Sequence, residues 1–195
     1  MKRLLCMLII FSTIAMVACS PKIDNSVDNN EQDNTGENRW MSTIEENIFI
    51  EGMEELITLN IYSHKNFLTY VPEDLLIHTE SKGMDDYYCF FANYGGIKNE
   101  NVYLKLSFYS ESIERPDPFI EGNFKKVDDF NKIYSWSLEE YKGLNGLYGI
   151  LIEREGTYIT MLISSPGEFE EGFIPRVNKI IDNFYFTDTN QYLAK

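Results

Sequence analysis

The chain has 195 residues, of which 44% are hydrophobic, 25% charged and 14% aromatic, with 12 Gly and 6 Pro. These fractions exclude a collagen-like or wholly disordered chain, and the length holds one domain or two small ones. Lys and Arg number 17 against 31 Asp and Glu, a formal charge of -14. Such a surface repels phosphate backbones and argues against a nucleic-acid partner.

The N-terminus opens with Met1-Lys2-Arg3, followed by an apolar run from Leu4 to Val17 broken only by Ser12 and Thr13. A basic start, a short apolar stretch and a small residue before the break are the marks of a secretory signal. The stretch falls short of the roughly 20 apolar residues that a membrane span needs. Met16-Val17-Ala18-Cys19 resembles the bacterial lipobox, with Met16 at the position usually held by Leu. That resemblance implies cleavage of residues 1–18 as a lipoprotein signal peptide and attachment of a diacylglyceryl group to Cys19. The alternative is a plain signal peptide with an incidental cysteine. Of the three cysteines, Cys6 leaves with the signal and Cys19 is acylated, so Cys89 remains alone and no internal disulfide forms. Cys89 sits in Tyr87-Tyr88-Cys89-Phe90-Phe91 beside Asp85-Asp86. That setting suits a buried thiol and lacks the positive charge that activates a nucleophile.

Residues 19–39 carry only two aliphatic side chains, Ile23 and Val27, among acids, amides and hydroxyls. The segment buries too little apolar surface to offset its ordering entropy and reads as a disordered acidic tether. Asp24, Asp28 and Asp33 lack the spacing of a calcium loop.

Residues 40–195 read as a single α+β domain, an antiparallel β-sheet flanked by helices. Residues 43–56 are ambiguous, since Thr43-Ile44-Glu45-Glu46 has the form of a helix capping box while Gly52 interrupts the period. Ile57, Leu59 and Ile61 alternate with polar residues, and Ser63-His64-Lys65-Asn66 turns the chain into a second strand over 67–71. Residues 87–94 read as a central strand. Val102, Leu104, Leu106 and Phe108 then face inward from the clearest strand in the chain. Residues 127–141 fit a helix through Val127, Phe130, Ile133 and Tyr134, or a strand through Tyr134, Trp136 and Leu138. A hairpin joins 148–153 to 157–164 through Arg154-Glu155-Gly156. Near the end, Phe169, Phe173, Val177, Ile180, Ile181 and Phe184 form one apolar stripe. Pro175 belongs in the first turn of a helix ending near Asn183, with a separate turn over 168–172 before it. Phe184-Tyr185-Phe186 reads as a short final strand.

Three features together resemble the PsbP-like superfamily: the early hairpin ending in Tyr70-Val71-Pro72-Glu73-Asp74, the late hairpin running into Ser165-Pro166-Gly167-Glu168, and the close Ile180-Ile181-Asp182-Asn183-Phe184-Tyr185-Phe186. The resemblance covers residues 57–186 and is one of layout. It implies an α/β/α sandwich and a binding or assembly role without a common enzymatic activity.

The inventory of chemistry is thin. Two histidines, His64 and His78, preclude a three-histidine zinc site. No nucleophile elbow or dinucleotide loop occurs, and Gly143-Leu144-Asn145-Gly146 reads as a turn entering a strand. No catalytic or metal-ligating residue and no cofactor is assigned, although pairs such as Asp128-Asp129 and Glu139-Glu140 leave open a weak divalent-cation site. Aromatic side chains outside the core stand out: Tyr62, Tyr103 and Tyr109 on the polar phase of their strands, and Tyr134, Trp136 and Tyr141, the partner-binding candidates, in the ambiguous stretch beside Glu139 and Glu140. Tyr134, Trp136 and Tyr141 combine a rigid apolar body with a polar tip. Arg176 joins them as a cation able to meet a partner's carboxylate, or to close an ion pair within the fold. The expectation is a lipoprotein lipid-anchored to the cell membrane on its extracytoplasmic side, with a non-catalytic domain that binds an envelope protein or polymer. The alternatives are an envelope hydrolase using a carboxylate pair and a purely structural envelope subunit.

Overall fold

The computed structural model describes residues 40–82, 85–109, 116, 119 and 123–195. The signal segment, Cys19 and the tether lie outside the described residues.

Residues 43–64 form a hairpin of β1 (Thr43–Ile50) and β2 (Met53–His64), paired from Thr43 opposite Asn60 to Ile50 opposite Met53. The turn between them uses Glu51 at φ 50° and Gly52 at φ 79°, the left-handed pair of a two-residue hairpin loop. Thr43 therefore caps no helix. The alternation of Ile44, Glu46, Ile48 and Ile50 lays one strand face on Ile57 and Leu59. β3 (Phe67–Pro72) pairs with β2, and β11 (Tyr185–Phe186) and β12 (Gln191–Tyr192) complete a five-stranded antiparallel sheet in the order β1-β2-β3-β11-β12.

Two residues after β3 the chain enters a second sheet. It comprises β4 (Leu75–Lys82), β5 (Asp85–Ala92), β6 (Asn99–Phe108), β7 (Lys125–Lys126), β8 (Glu139–Lys142), β9 (Leu147–Arg154) and β10 (Thr157–Ser164). The order is β4-β5-β6-β10-β9-β8-β7, antiparallel throughout. The alternation in β6 holds: Val102, Leu104 and Leu106 have no exposure. In the late hairpin Ile152 stands opposite Ile159 and Ile150 opposite Met161.

The one α-helix among the described residues, α1 (Gly167–Asp182), joins the main core through Phe173, Val177, Ile180 and Ile181. Thr69 Oγ1 donates to the Ile180 carbonyl at 2.7 Å, and Lys179 pairs with Glu46 of β1 at 2.6 Å, so α1 is tied to the small sheet by one buried hydrogen bond and one ion pair. Burying side chains of this size contributes about 1.5–3 kcal/mol each. That outweighs the hydrogen bond that Pro175 removes from the middle of the helix, and α1 runs unbroken where a separate turn and a helix start were expected.

The expected sheet flanked by helices, the α/β/α sandwich, is thus overturned. More than half of the described residues lie in strands, in two antiparallel sheets, with a single helix between β10 and β11. Both ambiguous stretches resolve away from α-helix. Residues 43–56 are hairpin, and residues 127–141 hold a 3-10 turn at Asp129–Asn131 followed by β8.

Candidate functional site: the β7–β8 ribbon and its neighbouring depressions

Residues 127–138 have little regular structure, and their placement comes from one carboxylate. Glu140 has no exposure. Its Oε1 accepts from the Tyr134 amide at 2.7 Å and its Oε2 from the Ile133 amide at 2.8 Å. Tyr148 OH also donates to Oε2, and Ser137 Oγ, shared with the Tyr134 carbonyl, lies 2.8 Å from Oε1. A carboxylate has about four lone-pair sites, and this geometry occupies all of them. Burial pushes the Glu140 carboxyl upward, but the hydrogen bonds from Tyr148, the two amides and Ser137 outweigh it and leave the group below its ordinary value. The same contact pushes the Tyr148 hydroxyl up, with burial as the larger cause.

The loop so anchored lays Tyr134 and Trp136 on the core. Their rings are 4.8 Å apart, both half-buried, and Tyr134 OH donates to Asn178 Oδ1 of α1 at 3.1 Å. Burial raises the Tyr134 hydroxyl to about 12. Tyr141, also half-buried, packs at a tilt on Phe119 with ring centres 4.9 Å apart and donates to Glu139 at 2.5 Å. Arg176 is 6% exposed. Its Nε donates to Asp74 Oδ2 at 2.7 Å and its Nη1 to the Gly172 carbonyl at 2.8 Å, and its guanidinium lies 5.0 Å from the Tyr94 ring centre. The structure thus brings Tyr134 and Trp136 together, sets Tyr141 on Phe119, and places Arg176 in a separate corner where β3, β4 and α1 meet. Each of the four has its main contacts within the fold.

Glu139 and Glu140 diverge. Glu139 pairs with Lys126 and Tyr141 on one side, and Glu140 turns to Ser137 and Tyr148 on the other, as neighbours on a strand must. His64 Nδ1 lies 2.7 Å from Tyr88 OH. Burial raises the Cys89 thiol to about 11, away from the thiolate form. No group of three or more His, Cys, Asp or Glu side chains is placed to hold a metal among the described residues.

Three depressions form a series that starts at the N-terminal half of α1 and ends at β7 and β8. The first, about 670 Å³, has Phe49, Ile174 and Pro175 as apolar wall and Glu51, Glu170 and Glu171 at its rim. The second, about 200 Å³, shares Glu170 and Ile174 with the first and contains Lys142, Gly143 and the buried Ser165. The third, about 520 Å³, shares Lys142 and Gly143 with the second and adds Lys125 and Lys126 of β7, Asp128 and Asn131 of the 3-10 turn, and Leu144. The acidic and basic walls lie at opposite ends of this series.

Sequence reasoning missed the lysine ladder. The Lys125-Lys126 pair in so acidic a chain was a signal, but its meeting with Lys142 depends on the β7–β8 register. It also missed the hairpin tip, where Phe49, Met53 and Leu56 stand 61–68% exposed. No protein-family model, no curated protein and no solved structure matches this chain.

Proposed function

We propose that this is a lipid-anchored envelope protein whose β-rich domain binds another envelope component and performs no catalysis of its own. The observation that carries the reading is Met16-Val17-Ala18-Cys19 at the end of a basic-then-apolar leader. A polar tether over 19–39 and a domain with open, charged depressions support it, because an anchor and a spacer serve a module that meets partners at a membrane. Each buried CH₂ of an acyl chain contributes about 0.8 kcal/mol, so a two-chain anchor resists salt washing.

The test is cell fractionation of the wild type beside Cys19→Ala, with mass spectrometry of the mature amino terminus. The expected result is membrane retention through a high-salt wash, an acylated Cys19 as first residue, and loss of retention in the variant. Unchanged retention of Cys19→Ala, or an unmodified terminus upstream of residue 19, overturns it.

A further inference from the structure

Across β7 and β8, Lys125 stands directly opposite Lys142, with Lys126 opposite Tyr141. Side chains directly opposite in an antiparallel pair have their Cβ atoms about 5 Å apart, and like charges there repel. Lys126 is neutralised by Glu139. Lys125 and Lys142 are exposed, and no described residue forms an ion pair with either. A chain with 31 acids against 17 bases nevertheless leaves two ammonium groups facing each other across two short strands.

The surroundings hold this pair in place. The Val127 amide donates to the Glu140 main-chain carbonyl at 2.8 Å, fixing the ribbon to the backbone of β8. A Cβ at Gly143 would meet Phe124 Cε1 and Leu147 Cβ at 2.8 Å each, so the end of β8 is closely packed. Beside the lysines lies the depression of about 520 Å³, walled by Asp128, Asn131 and Leu144.

We propose that this ribbon binds a phosphate-bearing, hydroxyl-rich group of the glycerol-phosphate type, with Lys125 and Lys142 holding the phosphate between them. Two ammonium groups act as point charges, which suits a phosphate. Among the described residues no arginine lines the depression to offer the planar fork that favours a carboxylate. The depression exceeds the size of a phosphate alone. Asn131 supplies a donor and an acceptor and Asp128 supplies acceptors for hydroxyls on the rest of the ligand. Asp128 at the rim and the overall charge of -14 oppose a run of phosphates. One phosphate among hydroxyls fits where a nucleic acid does not. The same group occurs free in solution and on phosphatidylglycerol, and the experiment separates these sources.

The full chain, in phosphatidylcholine vesicles or in buffer if it is recovered soluble, is acetylated with glycerol 3-phosphate, with glycerol alone or with neither, and each lysine is quantified by mass spectrometry. A second preparation uses phosphatidylglycerol vesicles with no added ligand. The expected result is at least fivefold slower acetylation of Lys125 and Lys142, with Lys82 and Lys98 unchanged. Slowing by glycerol 3-phosphate identifies a soluble ligand, and slowing only in phosphatidylglycerol identifies the headgroup. Calorimetry in whichever preparation binds adds a second readout, with Lys125→Met/Lys142→Met at least tenfold weaker than the wild type and the charge-matched Lys82→Met/Lys98→Met unchanged. Protection in neither preparation, protection by glycerol alone, or equal weakening in both double variants overturns the proposal. None of these outcomes depends on whether Cys19 carries lipid, so this site and the anchor are judged separately.

Discussion

Burial alone would drive the Glu140 carboxyl toward its neutral form, yet donors from Tyr148, Ile133, Tyr134 and Ser137 hold it ionised. Its folded value lies below the unfolded one, which is about 4.3 for a glutamate. The unfolded chain therefore binds the proton first. The contribution is complete above that unfolded value and is lost as the pH falls through the folded one. Asp86, held down by Lys65 and Ser81, and Asp188, held down by Arg154, act with the same sign. Glu140→Gln keeps the shape but turns an amide NH₂ toward donors, leaving buried hydrogen-bonding groups unmet at a cost of about 2–3 kcal/mol. Urea melts read through the fluorescence of Trp40 and Trp136 are expected to show that loss at pH 7. The gap between variant and wild type should close as the pH falls below about 4. A variant as stable as wild type at pH 7 contradicts the role assigned to Glu140.

At the scale of elements, α1 shows how tertiary burial overrides a local signal. Phe173 has no exposure and sits with Val177 and Ile180 on the apolar stripe. Phe173→Ala opens a cavity at the centre of the main core and is expected to cost about 3–5 kcal/mol, measured as a shift of the urea midpoint with unchanged slope. A loss under about 1 kcal/mol would mean that the helix is not seated as described. The stripe itself was legible, as were β2, β3, β6 and the β9–β10 hairpin, because alternation and a helical stripe are local and their turns carry Gly or polar residues. The first hairpin was not. Thr43 and Glu46 have the spacing of a capping box, and only the pairing with β2 shows that Glu46 belongs to a strand. Residues 127–138 were equally closed to a local reading, since their course depends on Glu140, a partner outside the segment. The candidate aromatics Tyr134, Trp136 and Tyr141 were singled out together from one ambiguous stretch, while the contact of the first two and the separate place of Tyr141 on Phe119 required the fold. Nothing local marks Lys125 and Lys142 as opposite one another, because the 12 residues between β7 and β8 fit a helical and an alternating pattern alike.

The whole molecule joins early and late parts of the chain. Trp40 packs on Tyr70 at 5.5 Å and on Tyr185 and Tyr192 at 5.6 and 6.1 Å, so the entrance to the domain rests on its last strands. Phe67 of β3 stacks on Phe184 at 4.7 Å and pairs in register with Phe186. Removing residues 184–195 would bare the edge of β3 and uncover Phe67. Such a chain is expected to lose near-ultraviolet circular dichroism and to bind a hydrophobic dye, as a loosely packed state does. Retention of a native near-ultraviolet spectrum would show that the small sheet stands without β11 and β12. This arrangement has a consequence for biogenesis. Contacts between distant parts of a chain are slow to form, and here the lamella begun by the first three strands waits for a closing ribbon that follows α1 in the chain. The small sheet therefore stays unfinished until every strand of the large sheet and α1 have been synthesised.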